Sequence, residues 1–231
     1  MRIFAAVMAK ILSIETSTAM CSVALASDGR NVCSRKDCTR QHASLTAVFC
    51  DEVLKEAGLK ATNLDAVCIS EGPGSYTGLR VGLSTAKGLC FGAGLRLLSK
   101  PTTDILAAMG AKAAPEAKAI IPMIDARRME VYSAVYSPAL EMLTPVQALV
   151  VDENTFAAQA SVQPAVFIGD GALKCREVIK EGIFIEAFPD AEAMAEGAQR
   201  LYDEGAFRDV AYFEPFYLKE FVATTSKKKL F

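Results

Sequence analysis

The sequence predicts an α/β fold made of two similar halves, each a mixed sheet with helices on its faces. Three observations predict it. The order strand, strand, strand, helix, strand, helix, strand, helix reads twice along the 231 residues. Asp28-Gly29 is a tight-hairpin signal, so the first half opens with antiparallel strands. The later buried strands alternate with helical segments, which forces parallel pairing through crossovers. The boundary falls in Gly110 to Lys118, GAKAAPEAK, where a helix ends and the pattern restarts. The expected domains are therefore residues 1–112 and a smaller half, 113–231, with a basic tail.

In order, Lys10 to Ile14 is an apolar strand and Cys21 to Ala26 a half-alternating one. Arg30 to Arg35 follows across the Asp28-Gly29 turn. Ser44 to Ala57 reads as a helix, because Leu45, Val48, Phe49, Val53 and Leu54 recur at helical spacing and Gly58 suits its stop. Ala66 to Ile69 and Leu95 to Leu98 are buried strands on either side of a second helix. Beyond Pro101, Thr102 or Thr103 is a candidate cap for a helix to Ala113. In the second half, Ala119 to Ile124, Glu130 to Tyr136 and a stretch between Leu140 and Val151 read as extended. Helices are expected over Glu153 to Ala160, Ala172 to Lys180 and Asp190 to Glu204, with strands at Ala165 to Ile168 and Ile183 to Ile185.

The second helix, Tyr76 to Gly92, is the most informative segment. Gly78, Gly82, Gly88 and Gly92 all fall within it, each at a cost of about 1 kcal/mol relative to Ala. Such a cost is offset when a missing side chain lets another backbone come close. Gly74, Gly78, Gly82 and Ala86 recur every fourth residue and share one side of the helix. That smooth stripe reads as a surface for contact with another chain.

The segment EGPGSYTGLRVGLSTAKG resembles the signature shared by the related bacterial families TsaB (YeaZ) and TsaD. Three further segments, ILSIETSTAMCSVAL, IPMIDARRMEVYSAVY and EPFYLKEF, resemble TsaB in particular. Together they run from Ile11 to Phe221. The resemblance implies two ribonuclease-H-like halves of the actin-like superfamily. It also implies a non-catalytic subunit that pairs with a TsaD-like protein. With a TsaE-like ATPase, such a pair places threonylcarbamoyl on the adenosine beside the anticodon of certain tRNAs. On this reading the first two helices dock the partner through Leu45, Phe49, Tyr76, Gly78, Leu79, Gly82, Leu83 and Ala86. The same surface would support a homodimer when the partner is absent. The alternative is a stand-alone ATPase or kinase, or a peptidase-like hydrolase.

Composition narrows these classes. With 52% hydrophobic and 23% charged residues the chain can bury an ordinary core. No apolar run approaches the ~18 residues of a membrane span. A net charge of -2 argues against nucleic-acid binding by the chain alone, so tRNA is expected only through the complex. Seven cysteines, without a Cys-x-x-Cys pair, read as reduced core residues of a cytoplasmic protein. MRIFAAVMAK is too short for a signal peptide, and Met8 is the expected start.

The chemistry-bearing residues are few. Glu15, Thr16 and Ser17 form a turn at the place where superfamily members cradle phosphate, but it has no Gly to let backbone amides close in. No nucleotide cofactor of its own is therefore expected, with ATP or ADP only within the complex. His42 is the sole histidine, which removes His-x-x-x-His metal sites, so no metal is expected either. Asp125 and Glu130 flank Arg127 and Arg128 and read as an ion-paired turn. Lys227, Lys228 and Lys229 are candidate phosphate contacts within a larger assembly.

Overall fold

The computed structural model describes residues 8–160 and 163–219. It contains two five-stranded sheets of matching topology. In the first, β1 (Lys10–Glu15) is central. It pairs antiparallel with β2 (Cys21–Ser27), which pairs with β3 (Arg30–Asp37). On its other side β1 runs parallel to β4 (Ala66–Gly72), and β4 to β5 (Arg96–Pro101). The second sheet repeats this with β6 (Ala119–Asp125), β7 (Glu130–Tyr136), β8 (Met142–Val150), β9 (Ala165–Ile168) and β10 (Ile183–Ile185). Asp28 and Gly29 both have positive φ, as a two-residue hairpin of this hand requires.

Helices α1 (His42–Glu56) and α2 (Tyr76–Ala93) lie side by side on one face of the first sheet. Val53, Leu54, Leu83, Ala86 and Cys90 bury themselves there against Leu12, Ile14, Val23 and Val67. Helix α3 (Thr102–Ala113) covers the other face and is shared between the sheets. Its Ile105 packs with the first half, and Leu106 and Ala107 with the second. Gly110 lets α3 approach β6 and β9, since a Cβ there would meet Ile120 and Ile168.

The structure departs from the sequence reading in four places. Thr102 and Thr103 do not cap α3. Both are buried inside it, and the Thr103 hydroxyl meets the Tyr136 hydroxyl at 2.8 Å across the two halves. Helix α4 is only Ala157–Ala160, because Asp152 and Thr155 hold the preceding residues in a side-chain-bonded turn. Helix α5 is only Ala172–Cys175. The last helical segment is a 3-10 turn, Ala191–Met194, running into α6 (Ala195–Asp203). That final piece packs on the first sheet, where Ala191, Met194 and Ala198 join Ile11 and Ala24 in one cluster. The chain passes from the first sheet to the second through α3, and its end returns to the first.

Past α6 the chain forms a strap. Arg208 donates its amide to the Leu97 carbonyl and its side chain to Ser99 and Glu71. The Phe216 amide donates to the Glu71 carbonyl at 2.7 Å, and Lys219 pairs with Glu130 of the second sheet.

Candidate functional site

The start of α2 is built against the β1–β2 turn. Ser75 caps the helix by accepting from the Gly78 amide, while its own amide donates to the Ser17 carbonyl at 2.6 Å. The Thr16 hydroxyl donates to the Gly78 carbonyl at 2.8 Å. A Cβ on Gly74 or Gly78 would collide with the Ser17 or Thr16 carbonyl, and one on Gly82 with the Thr16 hydroxyl. The backbone admitted by the small-residue stripe is therefore the chain's own, which corrects the expectation of an intermolecular contact there. Gly78, Leu79, Gly82, Leu83 and Ala86 are all buried, so no partner reaches them in the folded chain.

The other side of α2 is open. Gly88 and Gly92 have no atom within 4 Å of an added Cβ, and Phe91 beside them is 89% exposed. Ser84 is also exposed. On α1, Ala43, Ala47 and Val48 are exposed, while Leu45 and Phe49 are half-buried and Phe49 packs onto the core. The two helices thus present a smooth, small-residue and apolar surface, carried by residues other than those singled out from the sequence. Tyr76 is half-buried at its edge, with its ring 4.8 Å from that of Tyr217 and the Arg80 guanidinium above it.

The turn itself is closed. Glu15, Thr16, Ser17 and Thr18 are all buried. Glu15 accepts from the Ser17 amide at 2.5 Å, and its Oε2 has no partner. Burial pushes its pKa up to about 7, against the opposing pull of the Ser17 hydrogen bonds. Glu15 and Thr16 do not reach solvent as a phosphate-cradling turn would require. Only Ser17 and Thr18 line the neighbouring cleft.

That cleft, about 700 Å³, lies between the halves. On one wall are Arg40, His42 and the first residues of α2; on the other are Asp125, Arg127, Tyr132 and Asp170. The strap residues Phe216 to Lys219 run along its mouth. Asp125 pairs with Lys174, and its amide donates to Asp170 at 2.9 Å. Asp170 has its pKa raised by burial. The acid pair of the β6–β7 hairpin is ion-paired as expected, but Lys174 and Lys219 are the partners. Arg127 and Arg128 both have positive φ. Among the described residues no cluster of three His, Cys, Asp or Glu could hold a metal, and no helix is long and apolar enough to cross a membrane. The Lys227–Lys229 cluster and the segment before Met8 lie outside the described residues.

Residues 35–224 match the family model described as TsaD: tRNA N6-adenosine threonylcarbamoyltransferase. The chain is 31% identical to the Escherichia coli (strain K12) tRNA threonylcarbamoyladenosine biosynthesis protein TsaB, covering 93% of this chain and 96% of that one. The chain belongs to the TsaB family. A Pseudomonas aeruginosa crystal structure described as similar to the peptidase YeaZ superposes on this TsaB-family chain with a TM-score of 0.82. It is 27% identical and covers 92% of this chain and 100% of its own. A more distant likeness, to (R)-2-hydroxyglutaryl-CoA dehydratase component A of Acidaminococcus fermentans, has a TM-score of 0.53 at 11% identity. It covers 86% of this chain and 99% of that one, and supports the actin-like fold alone.

Proposed function

We propose that this chain is a non-catalytic subunit that docks a TsaD-like partner and supports its transfer of threonylcarbamoyl to tRNA. The observation that carries this reading is the outward face of α1 and α2. Exposed Phe91 beside Gly88 and Gly92 on α2, with exposed Ala47 and Val48 on α1, leave an apolar surface against which another helix pair could pack closely. Among the described residues nothing lies within 4 Å of a Cβ added at Gly88 or Gly92, so the missing side chains serve no packing there. The buried β1–β2 turn fits a chain with no nucleotide cofactor of its own, ATP or ADP being taken up only in the complex. A TsaE-like ATPase and tRNA join through the assembly, in the cytoplasm. A homodimer on the same face forms when the partner is absent.

The test uses Gly88→Leu, which adds bulk where the free chain has room. Co-purification with the TsaD-like protein and threonylcarbamoyl transfer in a reconstituted mixture should both fall more than tenfold, while the free chain's unfolding temperature does not fall, since leucine favours the helix over glycine. Undiminished pairing would remove the face from consideration. Transfer at full rate without the chain would remove the subunit role, leaving ATP turnover by the isolated chain as the alternative to measure.

A further inference from the structure

We infer that the strap from Arg208 to Lys219 is a positioning element for α2: it draws aside both charged side chains of that helix and keeps its outward face fit for an apolar partner. The inference rests on the docking face proposed above and names what sets the strength of docking there.

Helix α2 carries no acid, and Arg80 and Lys87 are its only charged residues. They share one side of the helix with Ser84 and Phe91, since positions 80, 84, 87 and 91 recur at intervals of three and four. Ser84 and Phe91 belong to the exposed surface beside Gly88. Two cations thus stand at the border of the apolar face. Extended over it, each would lose its water against an uncharged partner at a high cost. The buried centres of protein interfaces are depleted in charge for that reason.

The strap takes both cations instead. Arg80 Nε donates to the Tyr217 hydroxyl at 3.2 Å, and the guanidinium lies 4.2 Å from the centre of the Tyr76 ring, which leans on the ring of Tyr217. Two turns along, Lys87 Nζ donates to the Ala211 carbonyl at 2.9 Å. The strap therefore runs back along α2, meeting Lys87 first and Arg80 last. Its acceptors are a phenol and a backbone carbonyl. Such neutral groups fix where a cation points without cancelling its charge.

This course is built into the first half. Arg208 anchors the start of the strap on Ser99 and Glu71, and Val210 and Phe213 pack onto the core cluster beneath α1 and α2. Asp209 accepts from the Ala211 and Tyr212 amides at 2.7 and 3.1 Å, a turn that fixes the Ala211 carbonyl. At the end of β4, Gly72 has a φ of +111°, and a Cβ there would come within 2.5 Å of the Phe216 carbonyl. The chain keeps a glycine where the strap passes, just ahead of the helix the strap serves.

The test is a double-mutant cycle on Arg80 and Tyr217, read as affinity for the TsaD-like partner by calorimetric titration. Tyr217→Ala releases the guanidinium and should weaken association at least tenfold. Arg80→Ala removes the charge and should associate as the parent does. The double variant should recover to within twofold of the parent, because no cation is left to release. A strap that only supported the fold would give no such rescue. Tyr217→Phe keeps the ring and should show a smaller loss, also cancelled by Arg80→Ala. It keeps the cycle readable if Tyr217→Ala does not fold. Lost association in Arg80→Ala alone, unchanged association in Tyr217→Ala, or no recovery in the double variant would each overturn the assignment. A second readout needs no partner. In the free chain, Lys87 should be acylated at least tenfold more slowly than the exposed Lys60 and Lys112, measured by peptide mass spectrometry, and Asp209→Ala should remove that protection. An unprotected Lys87 in the parent would overturn the strap's hold even where docking stands. A parent with Lys87 protected that fails to associate would overturn the docking face, and the positioning role with it.

Discussion

The four glycines inside α2 should divide into two pairs of opposite sign when replaced by alanine. Gly88 and Gly92 face open space, so the added methyl meets nothing. Each replacement then gains only the helix preference of alanine, about 1 kcal/mol. The double variant should be about 2 kcal/mol more stable, a rise of roughly 4–8 °C in unfolding temperature for a chain of this length. Gly78→Ala gains the same helix preference, but its methyl runs into the Thr16 carbonyl. A backbone oxygen in the buried β1–β2 turn does not rotate away, and overpacking of this kind costs about 1–3 kcal/mol or more. The hydroxyl of Thr16 would also lose its alignment with the Gly78 carbonyl. The net effect should be a loss of 1 kcal/mol or more. Gly82→Ala meets only a side-chain hydroxyl and should fall between the two. Urea unfolding of the four single variants, followed by circular dichroism, decides the matter. A Gly78→Ala chain as stabilised as Gly88→Ala would refute the seating of the stripe on the β1–β2 turn. If the docking reading holds, Gly88→Ala also weakens partner association while strengthening the fold, a divergence that packing alone would not produce.

Other outcomes follow from the polar interior. Glu15 has a folded pKa of about 7, above its model-peptide value of 4.5. Its neutral form is therefore favoured by the fold, and the stability it contributes is complete below pH 4.5 and lost as pH rises through 7. Glu15→Gln should match the parent near pH 4.5 and exceed it by about 3 kcal/mol at pH 8, given 1.36 kcal/mol per unit; parallel stability–pH curves would contradict this. Tyr136→Phe removes a buried hydroxyl that donates to Asp104 at 2.6 Å and meets Thr103. It should cost about 1–3 kcal/mol, read by urea unfolding, with the secondary-structure spectrum unchanged.

Much of the fold was legible because its signals are local. Asp28-Gly29 declares a hairpin, and the buried runs at Ala66 and Ala165 declare central strands, whatever surrounds them. Helices α4 and α5 were read too long because residues 153–156 and 176–178 run in turns instead. There, side chains such as Asp152 compete with the helix for backbone amides. The candidate site was legible only by half. Glycine spacing announced a close approach on α2 but not its owner, since Thr16 and Gly78 are 62 positions apart. A stripe every fourth residue says which side is smooth, and burial alone says whether that side faces in. The outward residues Gly88, Phe91 and Gly92 interleave with the inward ones, so periodicity does not separate them. Likewise Asp125 and Glu130 were visible beside the Arg127-Arg128 doublet, yet their pairing is with Lys174 and Lys219, which arrive from elsewhere in the chain.

The return of α6 and the strap to the first sheet bears on how the chain is made. In the order of synthesis, the second sheet is an insertion within the first half. Strands β1 to β5 leave the ribosome early, but Ala191, Met194 and Ala198, which complete the cluster around Ile11 and Ala24, emerge some 90 residues after β5 ends. The second sheet, whose strands are contiguous in sequence, can close its own core first. The half that is translated first is thus the half that matures last, and a nascent chain halted after β10 would hold a finished second sheet beside an unfinished first.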